Sequence, residues 1–208
     1  QAEVGSLAEL VERWPQPEQV LLANVAGATA GQRIRAQLAG WGPLIREVFA
    51  SGQAAGVTNL YTEPQRLGVD RWCALIGARR LVGSPAVVVM AGTATTIDSL
   101  DAEGNFLGGF ILPGVDLMLR ALARETAGLP FASGQYRPWP RCTDDAIVSG
   151  AIEAQAGAIE RAWQRLAGTE KACLLSGGNA GRLAKALVIP HLLVENLPLE
   201  GLQVIAHR

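Results

Sequence analysis

Apolar positions in this chain recur with two different periods, and the switch between them sets out its elements in order. SLAELVERW has helical spacing behind Ser6, a residue type suited to a helix N-cap. QVLLANVAG is a short continuous apolar run, expected to be a buried strand, and GQRIRAQLAGW is an amphipathic helix. GVTNLYTEPQRLGVDRW, broken by Gly56, Pro64 and Gly68, predicts a loop. The next helix is expected from about Asp70 to Leu81, packing Trp72, Leu75, Ile76 and the stem of Arg79, with Gly83-Ser84-Pro85 as its stop. AVVVMAGTATTIDSLDAEGNFLGGFILPG predicts two strands joined by a hairpin at Asp101-Ala102-Glu103-Gly104, followed by GGFILPG. A helix from Val115 to about Thr126 places Leu117, Met118, Ala121 and Leu122 on one side and stops at Pro130. FASGQYRPWPRC reads as loop, and a long helix follows from an N-cap at Thr143 to about Leu166, with Asp144 and Asp145 in its first turn. KACLLSGGNAGRLAKAL gives a strand, a glycine turn and a helix, and the tail ends in a short strand and a final helix. Helices and strands alternate throughout, which predicts an α/β fold organised by glycine turns at Gly92 and at Gly177-Gly178.

Composition narrows the class of function. With 208 residues, 49% of them apolar and 18% charged, the chain has enough material for one or two packed domains. The formal net charge is -1, Lys171 and Lys185 are the only lysines, and the arginines are scattered, which argues against nucleic-acid binding by electrostatics. No apolar run reaches the roughly 18 residues of a membrane span, and QAEVGSLAEL lacks the regions of a signal peptide, so a cytosolic location is expected. Cys73, Cys142 and Cys173 are far apart and form no CxxC, which predicts reduced, mostly structural thiols. His191 and His207 have no second ligand at metal spacing, and Trp14, Trp41, Trp72 and Trp163 are too dispersed for a stacking surface. Trp139, between Pro138 and Pro140, is the tryptophan expected near a substrate.

Three stretches carry candidate chemistry, each with a plain structural alternative. In VVMAGTATTID the turn at Gly92-Thr93 offers successive backbone N–H groups and threonine hydroxyls that can hold a phosphate without a lysine. No GxxxxGK[ST] occurs, so the contact would come from a hairpin; the alternative is a hairpin whose threonines simply suit a pleated surface. LGVDRW sets Asp70, a candidate general base, beside Arg71, a candidate anion clamp; the alternative is a first-turn aspartate with a solvated arginine. LLSGGNAG suits a flat ligand such as adenine lying against the backbone, or a tight strand-to-helix turn.

Taken in order, GVDRW, AGTATTID, GGFILPG, TAGLP, TDDAIVSG and LLSGGNAG, spread from about Asn24-Val25 to Gly201-Leu202, resemble the type III pantothenate kinases, including the Bvg accessory factor branch. The resemblance implies an actin-like, duplicated ribonuclease H-like α/β fold with halves at residues 1–83 and 84–208. It also implies a homodimer and transfer of the ATP γ-phosphoryl group to pantothenate with Mg2+, the first step of coenzyme A synthesis. Carried over by motif, Asp70 is the proton acceptor, and Tyr61, Gly68, Val69, Asp70, Arg71 and Thr143 line the pantothenate site. Gly92 and Thr93 face the ATP phosphates, and Gly177 and Gly178 the adenosine end.

Two departures accompany the resemblance. Where the family has an aspartate for a monovalent cation, K+ or NH4+, this sequence has Met90, so that metal site is not carried over. Asp98 is the nearest remaining carboxylate of the hairpin, and a role facing solvent or a backbone N–H suffices for it. The family's opening Asp-x-Gly-Asn-Thr phosphate turn does not precede QAEVGSLAEL; the expectation is a truncated chain with the first strands of the N-terminal half missing, and the alternatives are a fusion remnant or natural loss of that part of the nucleotide site. The alternative function is a catalytically weak or inactive regulator that keeps the kinase fold.

Overall fold

The computed structural model describes residues 7–83 and 85–207. The Ser6 N-cap and Ser84 of the Gly83-Ser84-Pro85 stop therefore lie outside the described residues. In chain order the elements are α1 (Ala8–Arg13), β1 (Val20–Leu22), α2 (Ala28–Gln37), β2 (Ile45–Glu47), β3 (Gln53–Ala54), β4 (Val57–Asn59) and α3 (Val69–Val82). They continue with β5 (Ala86–Ala91), β6 (Ala94–Leu100), β7 (Asn105–Pro113), α4 (Val115–Glu125), α5 (Thr143–Arg165), β8 (Ala172–Ser176), α6 (Ala180–Ala184), β9 (Leu192–Leu193) and α7 (Leu197–Ala206). β1 and β2 form a small parallel sheet.

The main sheet has seven strands in the order β3-β4-β7-β6-β5-β8-β9. Within it β6 runs antiparallel to both β5 and β7, while β8 and β9 run parallel to β5. The run β7-β6-β5-β8-β9 is thus a 3-2-1-4-5 sheet with one reversed strand, the ribonuclease H-like pattern of an actin-like half.

β5 lies at the middle of this run because AVVVMA is apolar on both faces. Val87, Val89 and Ala91 join the core beneath α5, with Ile147, Ala151, Ile152 and Ile159. Ala86 and Val88 join the core beneath α3, with Trp72, Leu75 and Ile76, and Met90 packs against its margin. α3 ends at Gly83, whose φ of 61° closes the helix through a bond from its N–H to the Arg79 carbonyl. α3 also packs tightly on α7: a Cβ at Gly77 would strike the Leu197 carbonyl, and one at Gly201 the Cys73 carbonyl. Two mid-helix glycines, unfavourable by propensity, allow the two backbones to touch.

Several boundaries differ from expectation. The region read as loop contains β4, which pairs with β7 through Thr58 and Asn59. The stretch read as two strands plus GGFILPG folds as β5, β6 and β7, with a first turn at Gly92-Thr93 and a second at residues 101–104. There Asp101 holds both the backbone and the side-chain nitrogen of Asn105. α4 stops at Glu125, before Pro130, where Thr126 turns its hydroxyl back to the Leu122 carbonyl. The N-cap of α5 is Cys142, and Thr143 is the first helical residue. Cys142 is exposed while Cys73 and Cys173 are buried, so the structural reading holds for two of the three thiols. No helix among the described residues is long and apolar enough to cross a membrane.

Candidate active site

The first turn of α3 is built around the carboxylate of Asp70. A helix N-terminus favours negative charge, and here Asp70 Oδ1 accepts the backbone N–H of Arg71 at 2.8 Å. Among the described residues Oδ2 has no hydrogen-bond partner. A Cβ at Gly68 would crowd Asp70 Oδ1, so glycine there leaves the carboxylate its room. Val69 is buried in a cluster with Val48 and Cys73, which leaves only its backbone for a ligand.

Arg71 turns the other way, under the helix and into the sheet. Its Nε donates to Asp98 Oδ2 at 3.0 Å, Nη2 donates to Asp98 Oδ1, and Nη1 donates to the Tyr61 hydroxyl at 3.1 Å. The pair is buried: the side chains of Arg71 and Asp98 are 6% and 0% exposed. Both the solvated arginine and the solvent-facing Asp98 of the plain reading are corrected, because two charges removed from water require each other. Burial would lower the Arg71 pKa, but the Asp98 and Tyr61 bonds hold it above its ordinary value. Burial raises the Asp98 carboxyl, and the Arg71 bonds offset part of that rise. The nearby Asp70 charge pushes Asp98 the same way as burial does. Gly109, opposite Asp98 on β7, has no side chain because a Cβ would strike Asp98 Oδ1 and approach Arg71 Nη2.

The two glycine turns leave the sheet side by side. Met90 pairs with Ser176 across the parallel β5–β8 ladder, so both strands end at one edge. Gly177 has a φ of 99°, and a Cβ there would collide with the Ala91 carbonyl, which instead accepts the Asn179 N–H at 3.0 Å. On the other side, the Thr93 carbonyl accepts the Gly114 N–H at 2.8 Å, and a Cβ at Gly114 would strike the Gly92 and Thr93 carbonyls. Gly92 and Thr93 are exposed, and Gly178 faces open space. Three backbone segments, Gly92-Thr93, the start of α4 and residues 177–179, therefore meet at one place. Gly92, just past β5, lies four positions along the chain from Val88, which faces Asp98, a distance of about 13 Å at strand spacing.

A polar network that motif reading missed ties two of these segments together, the start of α4 and the turn into α6. Arg182 Nη1 donates to Asp116 Oδ1 at 2.7 Å and to Asn179 Oδ1 at 3.0 Å, and Asn179 Nδ2 donates to Asp116 Oδ2 at 3.3 Å. The Arg182 bond, more than any other contact, holds the Asp116 carboxyl below its usual range. The sequence signal was faint: an aspartate in the first turn after Gly114, and an Asn-Arg pair at i,i+3.

Among the described residues no group of three or more His, Cys, Asp or Glu side chains is placed to hold an ion, and both Asp116 oxygens are engaged. Next to Met90 the oxygen groups are Thr96, whose hydroxyl is buried without a partner, and Ser176, whose hydroxyl is bonded to Glu195 and Leu197. A thioether beside two hydroxyls does not fit a hard monovalent cation.

Thr143 is placed apart from the other candidates. It is exposed at the start of α5 and lines a groove of about 610 Å³ with Pro113, Met118, Leu122 and Ile147. That groove is on the α5 side of the sheet, and Asp70, Arg71 and Tyr61 are on the α3 side. Trp139 is 87% exposed in the loop before α5.

A carboxylate with a free oxygen at a helix start, together with an actin-like half whose glycine turns converge at one sheet edge, defines a phosphotransferase class of site. A sequence model of the type III pantothenate kinase family matches residues 3–165. The chain is 64% identical to a type III pantothenate kinase of Dechloromonas aromatica over 99% of its own length and 86% of that protein. It is 52% identical to one of Aromatoleum aromaticum, over 99% of its length and 85% of that protein. Among solved structures, a Campylobacter jejuni protein described as a Baf family transcriptional activator aligns with a TM-score of 0.64 at 21% identity, covering 96% of this chain and 86% of that one. This likeness concerns the fold alone. The chain belongs to the type III pantothenate kinase family.

Proposed function

We propose that this protein transfers the γ-phosphoryl group of ATP to pantothenate, forming 4'-phosphopantothenate at the start of coenzyme A synthesis. The observation that carries the reading is Asp70, with one oxygen bonded to the helix start and the other without a partner among the described residues, beside a charge-balanced Arg71–Asp98 pair. In this reading Asp70 takes the proton of the pantothenate hydroxyl while the oxygen attacks the γ-phosphorus and the bond to ADP breaks. Gly68, Val69 and Tyr61 line the acceptor site. The Gly92-Thr93 turn and Gly177-Gly178 hold the nucleotide through backbone N–H groups and the Thr93 hydroxyl. Magnesium enters as part of the MgATP substrate.

Residues 1–83 and 84–208 are the two halves about the nucleotide, with α3 packing on the sheet of the second and the β3–β4 hairpin extending its edge beside β7. A contact from Thr143 to the same pantothenate requires a second copy, because the sheet stands between it and Asp70; a homodimer meets that need. The enzyme works in the cytoplasm.

The test is phosphopantothenate formation from MgATP and pantothenate, followed by mass spectrometry on the full-length protein. Product formation at enzymatic rates is expected. Folded protein that makes no product would favour the second reading, a kinase-fold regulator, to which Met90 at the family's cation position points.

A further inference from the structure

We infer that Asp98 is a positioning residue for substrate recognition, holding the Arg71 guanidinium so that the Tyr61 phenol is left as a hydrogen-bond donor to an acceptor oxygen of pantothenate. The inference rests on the proposed function for the identity of that ligand. Its geometry is independent of it.

A guanidinium has five N–H donors and no acceptor. Three of the Arg71 donors are committed, two to the carboxylate oxygens of Asp98 and one to the Tyr61 oxygen. Tyr61 must therefore accept in its bond with Arg71, and its own hydrogen is free to point elsewhere. Among the described residues no group accepts it.

The phenol is half-buried and fixed from several sides. Its ring lies 5.2 Å from that of Phe106, and the Arg71 guanidinium sits 5.7 Å and 5.8 Å from the two ring centres. The Tyr61 backbone N–H is held by Asn59 Oδ1 at 3.1 Å, and Asn59 in turn binds the Pro64 carbonyl. A held ring with an unspent O–H, on the same residue network as Asp70, is a preorganised donor.

Asp98 fixes the direction of this donor. A lone Arg71 at this depth would carry an unbalanced charge and would draw the substrate carboxylate inward, away from Asp70. With Asp98 on two of its nitrogens, the arginine is neutralised and its third bond is aimed at Tyr61. Gly109 keeps the space that this requires, since a side chain there would occupy the position of Asp98 Oδ1. A purely structural ion pair would close on itself; this one continues to a side chain that reaches the surface.

The test uses the full-length protein and reads pantothenate affinity by calorimetric titration beside steady-state kinetics. Tyr61→Phe removes only the O–H and is expected to raise the pantothenate Kd and KM about tenfold, with kcat and the ATP KM changed less than about twofold. Asp98→Asn is expected to raise the same two quantities and to add nothing in the Tyr61→Phe background. Unchanged pantothenate affinity in Tyr61→Phe, or additive effects in the double variant, overturns the inference. If Asp98→Asn does not fold, Arg71→Lys, which keeps the charge and loses the fork, takes its place in the same cycle under the same criterion. Protein that binds pantothenate through Tyr61 yet makes no product refutes the kinase reading and retains this one. A working kinase indifferent to Tyr61 does the reverse, and absence of both binding and turnover overturns both.

Discussion

Strand β6 buries Thr95 toward one side of the sheet and Asp98 toward the other, and the two sides treat them differently. Toward α5, the Thr95 hydroxyl donates to Gln155 Oε1 at 2.7 Å, and Gln155 Nε2 donates to the Pro113 carbonyl at 3.1 Å. This network is neutral and ends on backbone, fastening the long helix across the hairpin. Toward α3, Asp98 meets a charge, and the chain of bonds runs on through Arg71 to the half-buried Tyr61. The first network holds elements together; the second also leads to the surface beside Asp70. Equal burial thus serves architecture on one face and recognition on the other, and what separates them is where each network ends.

The largest expected effect lies next to the charged face. Asp70→Asn should lower kcat by about 10²- to 10⁴-fold with an unchanged thermal midpoint; full activity would remove Asp70 from the role of base. The contrast between the faces is sharpened by urea denaturation. Asp98→Ala strands a buried guanidinium and should cost about 3–5 kcal/mol, whereas Gln155→Ala strands only neutral groups, the Thr95 hydroxyl and the Pro113 carbonyl, and should cost about 1–3 kcal/mol. Equal losses would break the distinction.

A smaller effect treats the two faces alike. Burial pushes the Cys73 thiol on α3 up to about 12, with the Asp70 charge adding to it, and burial alone pushes Cys173 on β8 up to about 12. Unfolded thiols titrate near 8.5, roughly, so above that pH the unfolded chain releases protons that the folded chain retains. The contribution is full below about pH 8.5 and declines toward pH 12, by up to about 1.4 kcal/mol per pH unit for each thiol. Replacing either cysteine by alanine should flatten the alkaline limb of the stability curve, and an unaltered limb would contradict the burial of that thiol. The smallest effect concerns Met90: potassium should alter the rate less than about twofold, and a steep dependence would require a cation site built from other ligands.

Periodicity in the sequence located α3, α4 and α5 within a residue or two, because their apolar stripes are long and, for α3, the stop at Gly83 is local. It also placed Gly92 and Gly177-Gly178 as the organising turns. The partners across the sheet were not legible. Asp98 lies 27 residues from Arg71, and nothing in GVDRW announces a carboxylate at that distance; the double glycine of LGGF was the one local sign that something needed space. Asp116, Asn179 and Arg182 were invisible for the same reason, since their contact exists only once β5 and β8 lie in register. β4 was taken for loop because a three-residue strand following a glycine carries too little pattern to be read as a strand.

The glycine contact between α3 and α7 sets an order of events. Trp72, Cys73 and Ile76, on the helix that carries Asp70, complete their surroundings only when Leu197 and Gly201 arrive from a distant part of the chain. Closing so long a loop comes late in folding. The ribosome will therefore have made the turns, the ion-pair partners and most of the sheet before the proposed base is finally seated, and an incomplete chain carries every motif of the site without the helix that holds it in place.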